Sequence, residues 1–411
     1  MDGRQAPNSS GAKMKPLKGI KVLEMGQLIA GPFCGQILAD FGAEVVKIEP
    51  PGQGDPLRQW GRADTNGDTI WWSVIARNKK SMTLDLRDPR AQEIVRRLAG
   101  QADILIENFR VGTLERWGLG WDILSEINPR LIMVRITGFG QTGPYAQRAG
   151  FASVCEAMGG LRYISGYPDR PPVRTGISLG DSLAGMNGAM GAMMALQYRN
   201  KTNRGQVVDA SIFESVLGMM EGLIAEYDKG GHIRQRSGST LPGIAPSNAY
   251  PTRDGKEVVI GGNQDNVFQR LCAEMGRPEL AEDARYASHR ARGENQEELD
   301  ELVSAWTRQR DADDIVERLA QCGVPAGLAY RAPEMLNDPH FISREAITRV
   351  ADPRFGDLAM QNVFPRLSES PGGIDHTGPL LGEHTRQVLR DWLGLDDSAI
   401  DAMEHDENEA I

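Results

Sequence analysis

Residues 20–49, IKVLEMGQLIAGPFCGQILADFGAEVVKIE, are the stretch that decides the fold. Positions 20–25 form an apolar run typical of a buried strand, 31–41 have the spacing of a short helix, and 44–49 are a second strand-like run. Together they predict a βαβ unit. The alternation continues with extended segments at 81–86, 103–106 and 131–136 and a helix at 89–100. We therefore predict an α/β fold around a doubly wound, Rossmann-like parallel sheet.

Length and composition predict more than one domain. The 411 residues are 40% hydrophobic and 25% charged, which is ordinary for a globular protein with an ample core. Residues 1–15 are polar and are expected to form a disordered tail rather than a signal peptide. We assign 16–227 to a large α/β domain, 228–325 to a small α+β domain with its linker, and 326–411 to a return into the large domain. The apolar positions of a helix expected at 211–227 are predicted to be core.

Charge and cysteine usage exclude several classes of function. A net charge of −10 argues against a nucleic-acid partner, since proteins that track phosphates carry net basic charge or a concentrated basic patch. No apolar run is long enough to cross a bilayer, so no membrane partner is expected. The four cysteines lie far apart and the six histidines are scattered, which predicts free thiols, a cytoplasmic location and no metal site.

The segment GDSLAGMNGAMG at 180–191 carries the strongest candidate for chemistry. Asp181 follows an apolar, strand-like approach at 175–180 and is expected at the start of a helix, whose N-terminus favours an ionised carboxylate. Such an acid suits nucleophilic attack, although this segment alone favours the ordinary role of an N-cap. Gly185, Gly188 and Gly191 recur every third residue, which predicts a helix face that another backbone can approach closely.

A dinucleotide site is an alternative for the first βαβ unit. Gly26 and Gly31 follow the first strand, and Glu49 ends the second. The three-glycine fingerprint is absent, however, and two prolines follow the acid. A tight turn between strand and helix explains the glycines equally well.

Several segments, taken in order, resemble the class III coenzyme A transferases, the family of formyl-CoA transferase and carnitine CoA-transferase. The likeness runs from about residue 16 to the C-terminus. The segments that carry it are PLKGIKVL (16–23), GAEVVKIEPPGQGD (42–55), RNKKS (77–81), ADILIENFR (102–110), NPRLI (128–132), GDS (180–182) and GPLLGEHT (378–385). The family resemblance implies a ring-shaped chain interlocked with a second copy in a homodimer.

The resemblance also implies a mechanism and a set of site residues. Asp181 would attack the thioester of an acyl-CoA and become an aspartyl-CoA thioester, so a CoA thioester is a substrate and no permanently bound cofactor is needed. Gly261 and Gly262, followed by Asn263, resemble a short form of the glycine loop that folds over the site. The implied CoA contacts are Ile29, Ala30, Leu84, Arg87, Asn108, Phe109, Arg110, Arg116 and Arg148. The arginines among them suit phosphate groups.

The substrates implied are succinyl-CoA as donor and a small dicarboxylic acid as acceptor. Arg174, Arg234 and Arg236 are candidates for the distal carboxylate. Formyl- or oxalyl-CoA transfer is an alternative, but the chain lacks that enzyme's longer glycine run and its glutamine near Ile29. An α-methylacyl-CoA racemase is another alternative, yet Phe151 stands where that enzyme's histidine base is needed. A non-enzymatic CoA-binding protein would leave the Gly-Asp-Ser segment unexplained.

Overall fold

Strands and helices alternate through the first half of the chain. The computed structural model describes residues 13–62 and 69–408, with side chains through Met403. The strands are β1 (Lys21–Glu24), β2 (Glu44–Glu49), β3 (Lys79–Thr83), β4 (Ile104–Glu107), β5 (Ile132–Thr137), β6 (Gln206–Ser211), β7 (Ser247–Pro251), β8 (Glu257–Gly261), β9 (Ala326–Leu328), β10 (Ile347–Asp352) and β11 (Gly356–Gln361).

The α-helices, in chain order, are α1 (Ala30–Asp40), α2 (Ile70–Ile75), α3 (Pro89–Ala99), α4 (Thr113–Arg116), α5 (Trp121–Ile127), α6 (Ala152–Met158), α7 (Leu161–Ile164), α8 (Leu179–Thr202), α9 (Ile212–Leu217), α10 (Leu223–Gly230), α11 (Asp265–Glu274), α12 (His289–Glu294), α13 (Gln296–Thr307), α14 (Ala312–Gln321), α15 (Ala332–Asn337), α16 (Pro339–Ser343), α17 (Thr385–Leu393) and α18 (Asp397–Asn408). Short 3₁₀ turns cover Pro56–Gln59 and Pro278–Ala281. No helix in the described part of the chain combines the length and the apolar character that a membrane crossing requires.

Six strands form one parallel sheet in the order β3-β2-β1-β4-β5-β6. The central strands are rich in Val, Ile and Leu, and every residue of β4 is buried, as expected where helices cover both faces of a sheet. The predicted doubly wound α/β fold is confirmed. One core cluster contains β1 and β4 residues together with α3 and α17, and the other contains α1 and α8.

The strand order reverses between β1 and β4, which pair in parallel register from Val22 with Ile104. In open α/β sheets, ligands bind outside the carboxyl ends of the strands at such a switch point. The segments that leave β1 and β4, residues 25–29 and 108–110, therefore lie at the edge where a ligand site is expected.

The glycine face predicted for α8 is confirmed. A Cβ added to Gly185 would lie 2.8 Å from the carbonyl oxygen of Ala30 in α1, and one added to Gly191 would lie 2.5 Å from a methyl of Val208 in β6. At Gly188 the nearest atoms, on Ile136 and Val134 of β5, would be 3.1 Å away. Because these glycines carry no side chain, α8 packs directly on α1 and the sheet.

The chain divides into two compact units. The first comprises residues 1–161, 175–221 and 345–411, and the second comprises 162–174 and 222–344. The second unit contains the antiparallel sheet β7-β8-β9, whose core includes Tyr250, Val258 and Ile260. Our predicted boundaries were 228 and 326. β9 belongs to the second unit because it is hydrogen-bonded to β8 as a third strand, and that unit continues to 344.

Three local expectations need correction. The helix expected at 211–227 is two helices, α9 and α10, separated by a segment in which Glu221 has a positive φ of 49°. Met219 and Ile224, predicted to be core, are 60% and 59% exposed. Residues 175–178, expected to be part of a strand-like segment before Asp181, do not form a strand. Of the expected tail, residues 1–12 lie outside the described residues, whereas Lys15 is held by an ion pair of 2.7 Å between its Nζ and Asp375 Oδ2.

Candidate active site

A cleft of about 260 Å³ opens at the switch point of the parallel sheet. It is lined by the segment after β1, the segment after β4 and the first turn of α8. Six of the residues singled out in the sequence line it together: Ile29, Ala30, Asn108, Phe109, Arg110 and Asp181. The cleft thus joins one carboxylate and one guanidinium at the carboxyl edge of the sheet.

Asp181 is the third residue of α8 and is half-buried. The N-cap of this helix is Ser178, whose side chain makes no capping hydrogen bond. The interpretation of Asp181 as an ordinary N-cap is therefore wrong, because the helix begins two residues before the acid. Its carboxylate lies in the first turn, where the helix dipole favours negative charge.

Two buried residues of α6, Cys155 and Glu156, lie next to the first turn of α8. Burial, together with the nearby charges of Asp181 and Glu156, raises the pKa of the Cys155 thiol to about 11. Glu156 is only 1% exposed, and its Oε1 accepts a hydrogen bond of 3.0 Å from the backbone N–H of Gly180. The residue that precedes Asp181 is thus held by a side chain from another helix.

The loop between β1 and α1 is anchored from three directions. The Gln27 N–H donates to Asn108 Oδ1 at 2.7 Å, and Asn108 Nδ2 donates to the Gln27 carbonyl at 2.8 Å. The Leu28 N–H donates to Asp55 Oδ1 at 3.0 Å, and Lys47 Nζ donates to the carbonyl of Gly26. Leu28 has a φ of 64°, a left-handed conformation that persists only where the surroundings enforce it.

A buried network of charges supports this loop. Lys47 Nζ lies 2.8 Å from Asp55 Oδ2, and Lys79 Nζ lies 2.8 Å from Glu24 Oε2, with all four side chains at most 1% exposed. Burial lowers the pKa of Lys47, but the charges of Asp55 and Glu24 outweigh it and raise that pKa. Lys47 therefore remains a cation and neutralises two carboxylates beneath the cleft.

A second cleft of about 440 Å³ adjoins the first and shares Gln27 and Phe109 with it. Two further predicted residues, Leu84 and Arg87, line it. The Arg87 guanidinium is exposed and makes a bidentate contact with Asp85 at 2.8–2.9 Å. The apolar wall includes Trp117, whose ring meets that of Phe109 edge-on with centroids 5.3 Å apart. An elongated ligand with an anionic part and an apolar part would fit the two adjoining clefts.

The comparisons with known proteins show the family of this chain. The family model described as CoA-transferase family III matches residues 17–385. The chain belongs to CoA-transferase family III. The class III coenzyme A transferase predicted from the sequence is thereby confirmed, and the enzyme is a CoA-transferase.

Relatives of this CoA-transferase cover nearly its whole length. It is 58% identical to the succinyl-CoA–D-citramalate CoA-transferase of Chloroflexus aurantiacus, over 94% of this chain and 96% of the relative. It is 33% identical to the succinyl-CoA:glutarate CoA-transferase of Homo sapiens, over 96% and 90%. Among solved structures, a CaiB/BaiF family protein from Brucella suis is 36% identical with a TM-score of 0.81, covering 92% of this chain and all of that one.

Other predicted residues of the CoA-transferase lie outside the two clefts. Arg116 Nη2 donates to Thr113 Oγ1 at 3.0 Å, and the Arg148 guanidinium lies over the Tyr145 ring, 3.6 Å from its centroid. Gly261, Gly262 and Asn263 belong to the second unit. There, Gly261 and Gly262 donate their N–H groups to the carbonyls of Pro325 and Pro246, at 2.9 and 2.8 Å.

The three candidates for the distal carboxylate also belong to the second unit. Arg234 Nη2 pairs with Glu226 Oε1 at 2.8 Å. Arg236 donates to the carbonyls of Tyr163 and Tyr167 at 3.1 and 3.2 Å. Arg174 is exposed. Two of the three thus already have partners within their own unit.

Sequence reasoning missed several residues of the Asp181 cleft. The expectation that no glutamine lies near Ile29 is wrong, because Gln27 lines the cleft two positions earlier. Trp60 also lines it and was missed, whereas Phe151, which the sequence analysis did name, lines it and cannot take up a proton. Glu156, which contacts α8 without lining the cleft, was missed as well. The available signal was an acid in the otherwise apolar and small segment ASVCEAM, but only the tertiary packing shows what it contacts.

Proposed function

We propose that this CoA-transferase moves CoA from succinyl-CoA to a small dicarboxylic acid through an aspartyl-CoA thioester at Asp181. The observation that carries the proposal is that Asp181 supplies the carboxylate among the described residues lining the cleft at the switch point. A carboxylate at a helix start is well suited to act as a nucleophile because it is ionised and needs no general base.

The bonds formed and broken in the reaction balance with Asp181 as the only side chain that reacts covalently. The Asp181 carboxylate attacks the thioester carbonyl of succinyl-CoA and expels CoA thiolate, which leaves a mixed anhydride of succinate and Asp181. The thiolate then attacks the aspartyl carbonyl, so succinate leaves and aspartyl-CoA forms. The acceptor carboxylate next attacks aspartyl-CoA and again releases the thiolate. That thiolate finally attacks the acceptor's carbonyl in the new anhydride, which yields acceptor-CoA and restores Asp181.

The neighbouring residues support binding of a CoA thioester. Arg110 and Arg87 would form charge-assisted hydrogen bonds with phosphate oxygens, as would Arg116 and Arg148. Leu84 and Phe109 offer the apolar surface that an adenine ring needs. Ala30 and Gly31, the first two residues of α1, offer N–H groups that lack intrahelical acceptors and would stabilise a transient oxyanion. Gly261, Gly262 and Asn263 remain the proposed counterpart of the glycine loop that the family resemblance implies.

D-Citramalate is the first acceptor to test, because the relative at 58% identity is named for it. Malate and glutarate follow, since relatives at 42% and 33% are named for these acids. An enzyme that exchanged CoA with monocarboxylates and with none of these three would contradict the dicarboxylate assignment. We further propose a cytoplasmic homodimer with no permanently bound cofactor. The four free thiols support the compartment, and light scattering would test the dimer.

Trapping the intermediate tests the mechanism. The enzyme is incubated with succinyl-CoA, treated with hydroxylamine or borohydride, and digested for peptide mass spectrometry. Modification at Asp181 is expected, and Asp181→Ala should abolish both the adduct and CoA exchange. Asp122→Ala is the matched control, because Asp122 is an exposed acid in the first turn of α5. Exchange at the native rate by Asp181→Ala would refute the proposal.

The racemase alternative is tested in the same preparation. A racemase exchanges the proton α to the thioester with solvent, which requires a base where this cleft has Phe151. We expect no deuterium uptake at that carbon from heavy water during CoA transfer.

A further inference from the structure

Glu156 is a buried acid whose carboxylate contacts the helix that carries Asp181. It lies on α6 at 1% exposure, and its Oε1 accepts the N–H of Gly180 at 3.0 Å. A carboxylate is rarely buried this deeply unless hydrogen bonds compensate for its lost hydration. Burying this carboxylate therefore costs free energy, and its hydrogen bond to Gly180, the residue before Asp181, indicates a specific role.

The first turn of α8 lacks a cap of its own. An α-helix begins with N–H groups that have no intrahelical acceptor, and the N-cap side chain usually satisfies one of them. Ser178 occupies the N-cap position of α8 without making that bond. Glu156, from α6, accepts the Gly180 N–H instead. The cap of this helix thus comes from another helix.

Gly180 is also confined sterically. A Cβ added there would lie 3.0 Å from Glu156 Cγ and 3.0 Å from Ile212 Cγ2, closer than ordinary van der Waals contact. Residues 175–178, which lead into α8, form neither helix nor strand. Contacts within the first unit must therefore fix the start of the helix, and Glu156 and Ile212 hold it from two sides.

We propose that Glu156 is a positioning residue, which fixes the first turn of α8 so that the Asp181 carboxylate meets the thioester carbon at the attacking distance. The inference rests on the proposed function of Asp181. Glu156 does not line either cleft, so its effect should fall on formation of aspartyl-CoA and leave CoA binding unchanged. A misplacement of about 1 Å at a reacting group can cost roughly 100-fold in rate.

Two substitutions of similar volume separate the hydrogen bond from packing. Glu156→Gln keeps an oxygen that can accept the Gly180 N–H, whereas Glu156→Met fills the space without an acceptor. We expect kcat of the Met variant to fall about 10- to 100-fold while KM for succinyl-CoA changes less than about twofold. The Gln variant should retain kcat within about threefold of the native value. Equal kcat in the two variants, or a change confined to KM, would overturn the inference.

Gly180→Ala perturbs the same contact by changing the residue in α8, and it provides the test if Glu156→Met does not fold. Its Cβ would displace the Glu156 side chain, so kcat should fall with KM unchanged. In the Glu156→Met background the same substitution should lower kcat by a smaller factor than in the native enzyme, because the hydrogen bond to Gly180 is already lost and only the close approach to Ile212 remains. Fully additive effects on kcat would contradict the proposal. Trapping the Asp181 adduct in the native enzyme distinguishes the two proposals. If the native enzyme forms no adduct, the role of Asp181 is refuted, whatever the Glu156 variants do.

Discussion

The Asn108 side chain and the Gln27 main chain exchange two hydrogen bonds, of 2.7 and 2.8 Å, across the switch point of the sheet. The bonds join the segment after β4 to the segment after β1. Asn108 was singled out in the sequence as a CoA contact. In the structure its amide is hydrogen-bonded to Gln27, so we expect substitution of Asn108 to affect CoA binding at least in part through the loop that it holds.

Asn108→Ala should therefore raise KM for succinyl-CoA more than it lowers kcat. The free energy of unfolding should fall by about 1–3 kcal/mol, since each hydrogen bond contributes roughly 0.5–1.5 kcal/mol. Steady-state kinetics and urea unfolding measure the two effects. Asn128→Ala is the control, because Asn128 Nδ2 donates to the carbonyls of Ala99 and Ala102 at 3.0 and 2.8 Å, away from either cleft. An unchanged KM in Asn108→Ala would contradict the expectation.

Gly185→Ala should separate α8 from α1. The new Cβ would lie 2.8 Å from the Ala30 carbonyl oxygen, which is backbone and cannot move aside cheaply. Overpacking costs about 1–3 kcal/mol, and the gain of about 1 kcal/mol in helix propensity offsets part of it. We expect a lower melting temperature and a lower kcat, because α8 carries Asp181. Gly176→Ala, where a Cβ would meet nothing within 4 Å, should leave both unchanged.

Lys47→Met should destabilise the protein by about 3–5 kcal/mol, because it leaves the buried Asp55 carboxylate without its cation and Glu24 with Lys79 alone. Arg290→Ala is the control. Its ion pair with Glu294 spans one exposed helical turn, where solvent screens the charges, so its loss should change the free energy of unfolding little. Urea unfolding monitored by circular dichroism measures both. Comparable losses in the two variants would show that burial does not set the strength of the Lys47 pairs.

Asp352 should contribute stability that disappears in acid. Burial raises its pKa, but hydrogen bonds from Arg354 and Ser73 lower it more, to about 2 from an ordinary 3.8. A group whose pKa is lowered on folding stabilises the protein above its unfolded pKa, and that stability is lost as the pH falls through the folded pKa. Asp352→Asn should thus be less stable than the native enzyme at neutral pH. The difference should shrink between about pH 4 and pH 2, as measured by urea unfolding at each pH. A constant difference would contradict the assignment.

The sequence predicted the parts of the fold that depend on local pattern. Alternating apolar runs and helical spacing indicated the parallel sheet, and the three-residue glycine period indicated the bare face of α8. These features are visible in sequence because strand burial and helix periodicity repeat over short distances. The residues after β1 and β4 could be expected at one edge for the same reason.

Other features depend on contacts between residues distant in sequence. Nothing local shows that Glu156 accepts the N–H of Gly180, or that Asn108 is engaged by Gln27. The break between α9 and α10 was missed because apolar spacing continued across it, although Gly218 and Gly222 flank the break. Nor does anything local show that the Arg236 guanidinium donates to the carbonyls of Tyr163 and Tyr167.

The insertion of the second unit has a consequence for synthesis of the protein on the ribosome. Trp72 Nε1 donates to the carbonyl of Pro379, and Ser73 Oγ donates to Asp352, so the second helix of the first unit is completed by residues made near the end of translation. The nascent α/β sheet also lacks α17, whose Val388, Leu389 and Trp392 pack in its core, until about 120 residues of the inserted unit have been made. Cells should consequently depend on chaperones to shield this intermediate, and truncation before residue 345 should produce insoluble chains.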